Sequence, residues 1–190
     1  VLPFLILERN TYMEGIILYG SRYGSTRRYG EELSRETGIP AVSYTQAPPL
    51  QDKKVIVYLG GLYAGGVLGL KKTLGSTAPG TGQKLFIATV GLADPGISEN
   101  RYHIRGALQR QLPKEAYERA SIFHLRGAID YQQLSLPHRT MMALLHRGLR
   151  GRPAEKWSEE DRALMETYGK KADFVDFGAL EPILEEIKRL

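Results

Sequence analysis

The chain has 190 residues, 26 Lys plus Arg against 21 Asp plus Glu, a net charge of +5, and no cysteine. Its 42% hydrophobic and 25% charged residues suit one folded domain with a sizeable core and exclude wholesale disorder. The lack of thiols excludes disulfides, cysteine catalysis and thiolate metal sites, so any redox chemistry must come from a bound group. The basic balance favours an anionic partner without choosing among phosphate, lipid, acidic protein and nucleic acid.

Residues 1–7 are apolar but lack a basic stretch before them and a small-residue cleavage site after them, which makes a poor signal peptide. Met13 precedes the first confident strand. The expected organisation is one domain over 13–190, with 1–12 an N-terminal extension of non-native origin. The alternative for 1–12 is an edge strand or a partner-binding arm. No apolar window approaches the length of a membrane span.

Ile16, Ile17, Leu18 and Tyr19 form a compact apolar run, as a parallel strand covered on both faces would. Gly20, Ser21, Arg22, Tyr23, Gly24, Ser25 and Thr26 break it, and a helical pattern follows. A loop feeding a helix N-terminus offers free N–H groups and a positive dipole end to a phosphate. Ser21, Ser25 and Thr26 add hydroxyls, and Arg22, Arg27 or Arg28 add charge. From loop chemistry alone, an ordinary capped turn fits as well.

Gly38 and Pro40 end the helix, and 39–44 reads as the second strand. Residues 55–59 are an apolar third strand, followed by a glycine-rich loop holding Gly61, Leu62, Tyr63 and Ala64. A short helix is expected over 68–74. The stretch 75–84 imitates a nucleotide-binding loop but lacks its Lys-Ser/Thr ending and precedes a strand, so it reads as a turn. Residues 84–90 form the fourth strand, and Thr89, Val90, Gly91 and Leu92 lead into a third loop. Ser98 is a candidate cap for a helix to about 112. Residues 120–125 form the fifth strand. Buried strands alternating with helices predict an α/β, doubly wound parallel sheet. In such sheets ligands sit beyond the carboxyl ends of the strands, where all three loops lie.

The segment 127–157 is not a standard strand-to-helix return. It carries a basic, partly amphipathic helix over 138–152, with Met141, Met142, Leu145 and Leu149 at helical spacing. Three readings stand for it: a solvated helix packing Met and Leu on the core, a membrane-surface or quinone-proximal patch, or a dock for an acidic redox partner. No nucleic-acid module is recognised. Helices are also expected over 159–170, capped by Ser158, and over 179–190, with Asp176 near its start. His103, His124, His138 and His146 show no metal-ligand spacing, and His124 reads as a core histidine. No dinucleotide glycine fingerprint and no nucleophile elbow occurs.

Ser21-Arg22-Tyr23-Gly24-Ser25-Thr26 resembles the flavodoxin phosphate loop, a hydroxyl–x–x–Gly–x–Thr pattern around the phosphate of FMN. It is closer still to the loop of the menaquinone-dependent protoporphyrinogen dehydrogenase branch, Thr-Arg-Asp-Gly-Gln-Thr. Tyr23 and Ser25 depart from its Asp and Gln, and neither change removes a backbone donor. That branch also has a basic, Met-rich insertion after its fifth strand. The resemblance covers most of the chain from Met13 onward. It implies a flavodoxin-like five-stranded sheet of order 2-1-3-4-5, flanked by helices, with an extra helical insertion after the fifth strand. It implies FMN held by residues 21–26, with Tyr63 stacked on the ring, the glycines beside it admitting the flavin edge, and Thr89, Val90, Gly91 and Leu92 at its pyrimidine side. The implied function is electron transfer or flavin-dependent oxidoreduction, protoporphyrinogen dehydrogenase-like in its sharper form, with a redox protein or a quinone as partner. The expected location is the cytoplasm, at the inner face of the membrane if the 138–152 helix meets lipid. The alternative is a flavodoxin-like interaction or regulatory domain without flavin.

Overall fold

In the computed structural model, residues 14–63, 65–76 and 79–190 are described. The expected extension 1–12 and the candidate residue Ala64 lie outside them. Strand β1 (Gly15–Gly20) leads through the 21–24 turn into helix α1 (Ser25–Thr37). Gly38, at φ 71°, ends α1 and returns its N–H to the Ser34 carbonyl at 2.8 Å, a turn that a β-carbon would strain. Strand β2 is only Ala41–Ser43. Ile39, expected within it, instead packs against Gly15, and Tyr44 enters a 3₁₀ turn.

Strand β3 (Val55–Tyr63) runs further than its apolar core predicts. Gly60 and Gly61 do not break it, because Gly60 pairs with Gly20 and Thr89, and Gly61 with Val90. Its end folds back antiparallel onto β4 (Gly66–Val67), a hairpin that the sequence reading takes for a loop. Helices α2 (Leu70–Leu74), α3 (Ser98–Gln111) and α4 (Lys114–Arg119) flank strands β5 (Lys84–Gly91) and β6 (Ser121–Arg126). Ser98 is the first residue of α3 and caps nothing with its side chain; Ile97 holds the cap position.

The five parallel strands stand in the order β2-β1-β3-β5-β6, which is the expected 2-1-3-4-5, with β4 paired to the end of β3. Alternate residues serve opposite faces. Ile16, Leu18, Ile56, Tyr58, Leu85 and Ile87 pack with α2, α3 and α4. Ile17, Val57, Leu59, Phe86, Ala88 and Val90 pack with Tyr29 and Leu33 of α1 and with α7 (Glu181–Lys188). Helix α7 is shorter than the expected 179–190. Pro182 favours the first helical turn, and a 3₁₀ turn capped by Asp176 precedes it.

After β6 comes a second, smaller layer. Strand β7 (Ala128–Asp130) pairs antiparallel with β8 (Lys171–Asp173), enclosing helices α5 (Leu136–Arg150) and α6 (Glu159–Thr167). Ser158 and Asp161 form a reciprocal capping box at the start of α6. The Trp157 indole donates to the Leu149 carbonyl at 3.1 Å, and the His146 ring stacks on Tyr168 at 3.8 Å.

Candidate functional site

Strands β1 and β3 are neighbours, but the chain leaves β1 toward β2 and then crosses back, so the sheet reverses its winding there. A crevice opens at that point, beyond the carboxyl ends of the strands. It encloses about 350 Å³, in the range of a cofactor site. Ser21, Arg22, Tyr23, Ser25 and Thr26 line it from the first loop, Gly61, Leu62 and Tyr63 from the end of β3, and Val90, Gly91 and Leu92 from the end of β5. Three segments far apart in sequence thus meet in one cavity.

The first loop is shaped for an acceptor-rich group. Gly24 takes φ 98°, and its N–H donates to Ser21 Oγ at 3.1 Å, leaving the Ser21 hydroxyl proton to point outward. No side chain caps α1. Among the described residues the N–H groups of Ser25, Thr26 and Arg27 have no partner, whereas Arg28 N–H reaches the Gly24 carbonyl at 3.0 Å. An uncapped helix start with three free donors suits an anion. A β-carbon on Gly61 would stand 3.2 Å from Thr26 Oγ1, and one on Gly127 would stand 3.1 Å from Ser25 Oγ. Both glycines therefore keep space around these hydroxyls. Of the three arginines offered by the sequence, Arg27 pairs with Glu31 at 2.6 Å and Arg28 with Asp173 at 2.7 Å. Arg22 alone turns to the cavity, its guanidinium 5.1 Å from the centre of the Tyr63 ring.

Two expected residues do not reach the cavity wall. Gly24 shapes the turn without lining it. Thr89 is buried within β5 and bonds His124 Nδ1 at 2.8 Å across to β6. Strand alternation aims it to the opposite face of the sheet from Val90. His124, read as a core histidine, is half-buried, and its Nε2 has no partner among the described residues. Burial, then the nearby Arg105 and Arg101, push its pKa down to about 4, so it is neutral near pH 7.

The roof of the cavity is the basic, Met-rich helix expected after the fifth strand, although none of its residues is among the expected cofactor contacts. Helix α5 lays His138, Met141, Met142 and Leu145 over the crevice, with Ala128 and Ile129 of β7 beside them. His138 is only 5% exposed. Its Nδ1 meets the Tyr23 hydroxyl, and its Nε2 meets the Tyr63 hydroxyl. Burial and then the Arg22 charge lower its pKa. A neutral imidazole has one donor and one acceptor nitrogen, so one tyrosine donates to it and the other accepts from it. The Ser135 N–H also reaches the Tyr23 hydroxyl at 3.4 Å. Tyr23, a departure from the resembled loop, thus ties the roof to the first loop. The clue to His138 was its place on the helix: it shares the inward side of α5 with Met142 and Leu149, at i+4 and i+11.

Among the described residues no carboxylate lines the cavity. Its first-loop end offers N–H groups, hydroxyls and a guanidinium, and its other end is apolar and aromatic. Fold and cavity together define an α/β protein with a cavity at the switch point of its parallel sheet. The flavodoxin domain family model matches residues 16–155, and the chain belongs to that family. A comparison with curated proteins found no match.

Proposed function

We propose that the switch-point cavity binds FMN and that the protein transfers electrons through it. The observation that carries this reading is the union, in one cavity free of carboxylates, of an uncapped helix start and an aromatic, apolar chamber. The Ser25, Thr26 and Arg27 N–H groups, with the Ser21, Ser25 and Thr26 hydroxyls and Arg22, would hold the phosphate. Leu62, Tyr63, Val90, Gly91 and Leu92 would flank the ring under the roof of α5. FMN supplies reversible one- and two-electron chemistry when bound. The apolar roof keeps water from the chamber, and His138 is the lining side chain whose ordinary pKa lies nearest neutrality.

The sharper form of the proposal is a dehydrogenase of the protoporphyrinogen type, with a quinone or a redox protein as electron partner. The placement of a basic, Met-rich insertion as roof of the cavity supports it over a simple carrier. FMN titration followed by flavin fluorescence tests the core of the reading. Wild type is expected to bind, Thr26→Ala to weaken binding about tenfold, and Gly24→Asp about a hundredfold, because it sets a negative charge against the phosphate and strains a positive φ. A wild type that leaves FMN fluorescence unchanged would sink the flavin reading and favour an interaction domain. Oxidation of protoporphyrinogen with a quinone acceptor, compared with reduction by cellular electron donors, then tests the sharper form.

A further inference from the structure

Helix α5 has an inner and an outer face, and the flavin reading uses only the inner one. Leu136 is 77% exposed, Leu144 65% and Leu145 50%. They are three of the seven large apolar side chains exposed among the described residues. Pro137, Thr140, Met141 and Gly148 continue the same stripe. At about 100° per residue, Arg139, Arg147 and Arg150 fall along one flank of it. All three are exposed, as is Arg152 just past the helix. Residues 135–152 contain these four arginines and no Asp or Glu, and so hold most of the chain's +5. Every arginine ion pair among the described residues lies elsewhere.

We propose that this outer face docks on an anionic lipid surface, with α5 lying flat at the headgroup boundary. An exposed apolar stripe bordered by arginines that make no ion pair among the described residues is the chemistry of an interfacial helix. The stripe forms a wide, open groove along the helix that does not enclose a small ligand. A second copy of the chain is disfavoured, because a twofold contact through α5 would set its arginines against their own kind. Among the described residues no helix is long and apolar enough to cross a membrane. Met141 and Leu145 line both the outer groove and the switch-point cavity. The docked face therefore borders the mouth of the cavity. The proposal stands on the outer face alone and does not require FMN.

Co-sedimentation with vesicles tests it. The full chain is expected to pellet with phosphatidylcholine vesicles containing about 30% phosphatidylglycerol, not with phosphatidylcholine alone, and to be released at about 0.5 M salt. Leu136→Glu/Leu144→Glu and Arg147→Gln/Arg150→Gln are each expected to weaken partitioning about tenfold or more. None of these four residues lines the cavity, so circular dichroism and thermal unfolding should match wild type. Wild type that ignores anionic vesicles at low salt overturns the proposal, as does binding by both double variants equal to that of wild type. A dimer in sedimentation velocity that Leu136→Glu/Leu144→Glu abolishes, without vesicle binding, would assign the face to a second copy instead.

Discussion

In the strands that form the floor of the cavity, Gly20 and Gly60, each one residue before the lining Ser21 and Gly61, leave no room for a methyl group. A β-carbon on Gly20 would stand 2.2 Å from the Leu68 carbonyl oxygen, and one on Gly60 would stand 2.1 Å from Val67 Cγ1. The roof is built otherwise. In its fifteen residues α5 buries only His138 and Leu149, and side-chain bonds tether it: His138 to two tyrosines, Arg139 to the Gln132 carbonyl, Trp157 to the Leu149 carbonyl. The floor is over-determined by packing, and the roof hangs on a few polar contacts. Interiors packed to crystal density resist local change, whereas regions with few buried apolar contacts open on their own. A site with a rigid grip and a separable cover follows from that difference.

The hardest test of this contrast is Gly20→Ala. Because the obstacle is backbone, the variant should lose about 3 kcal/mol, read from urea unfolding. A variant as stable as wild type would show that the floor yields and remove the distinction. Next comes His138→Ala. It should speed amide exchange in α5 about tenfold or more while leaving the exchange of β1, β3 and β5 nearly unchanged. Equal acceleration in both regions would mean that roof and floor unfold together. A pH series sharpens the picture further. His124 has a folded pKa of about 4, below its unfolded value, so between about pH 6.5 and 4 the unfolded chain binds a proton that the folded chain refuses. Stability should fall as pH drops through that window, and His124→Asn should flatten the fall. His138, also lowered, acts in the same direction, so His138→Asn should remove a further part. The smallest effect belongs to Arg28, whose ion pair with Asp173 joins α1 to β8 across an exposed gap. Arg28→Gln should cost about 0.5 kcal/mol in thermal unfolding, and less at high salt.

The sequence made the central strands legible because Ile16 to Tyr19, the Val55 run and the 84–90 run are apolar without interruption, and burial on both faces leaves that mark. It also exposed the strand-end loops, since glycine and hydroxyl residues punctuate them. The strand order came from the resemblance of the Ser21 to Thr26 loop, not from periodicity. What stayed hidden depends on pairing at long range. Strands of three residues, Ala128–Asp130 and Lys171–Asp173, are too short to show alternation and exist only because each finds the other. The β3–β4 hairpin was masked because its glycines look like breakers until Val67 is seen filling the space above Gly60. His138 carries no binding signal in the sequence because it lacks metal-ligand spacing and its partners are two phenols on other segments. Thr89 was grouped with the loop although it belongs to the strand, where alternation turns it toward His124.

Tyr29 is fully buried on α1, donates its hydroxyl proton to the Arg126 carbonyl at 2.8 Å and accepts the Asp176 N–H at 2.9 Å. These partners lie 97 and 147 positions along the chain. During synthesis the phenol is made early and its partners late. Until residue 176 has left the ribosome, the apolar cluster beneath α1 holds a hydroxyl with part of its bonding unmet, and the place of α7 is open to water. Closing that seam is a loop-closure event of long range, slow by topology, and it waits on Asp176 and the Glu181–Lys188 helix.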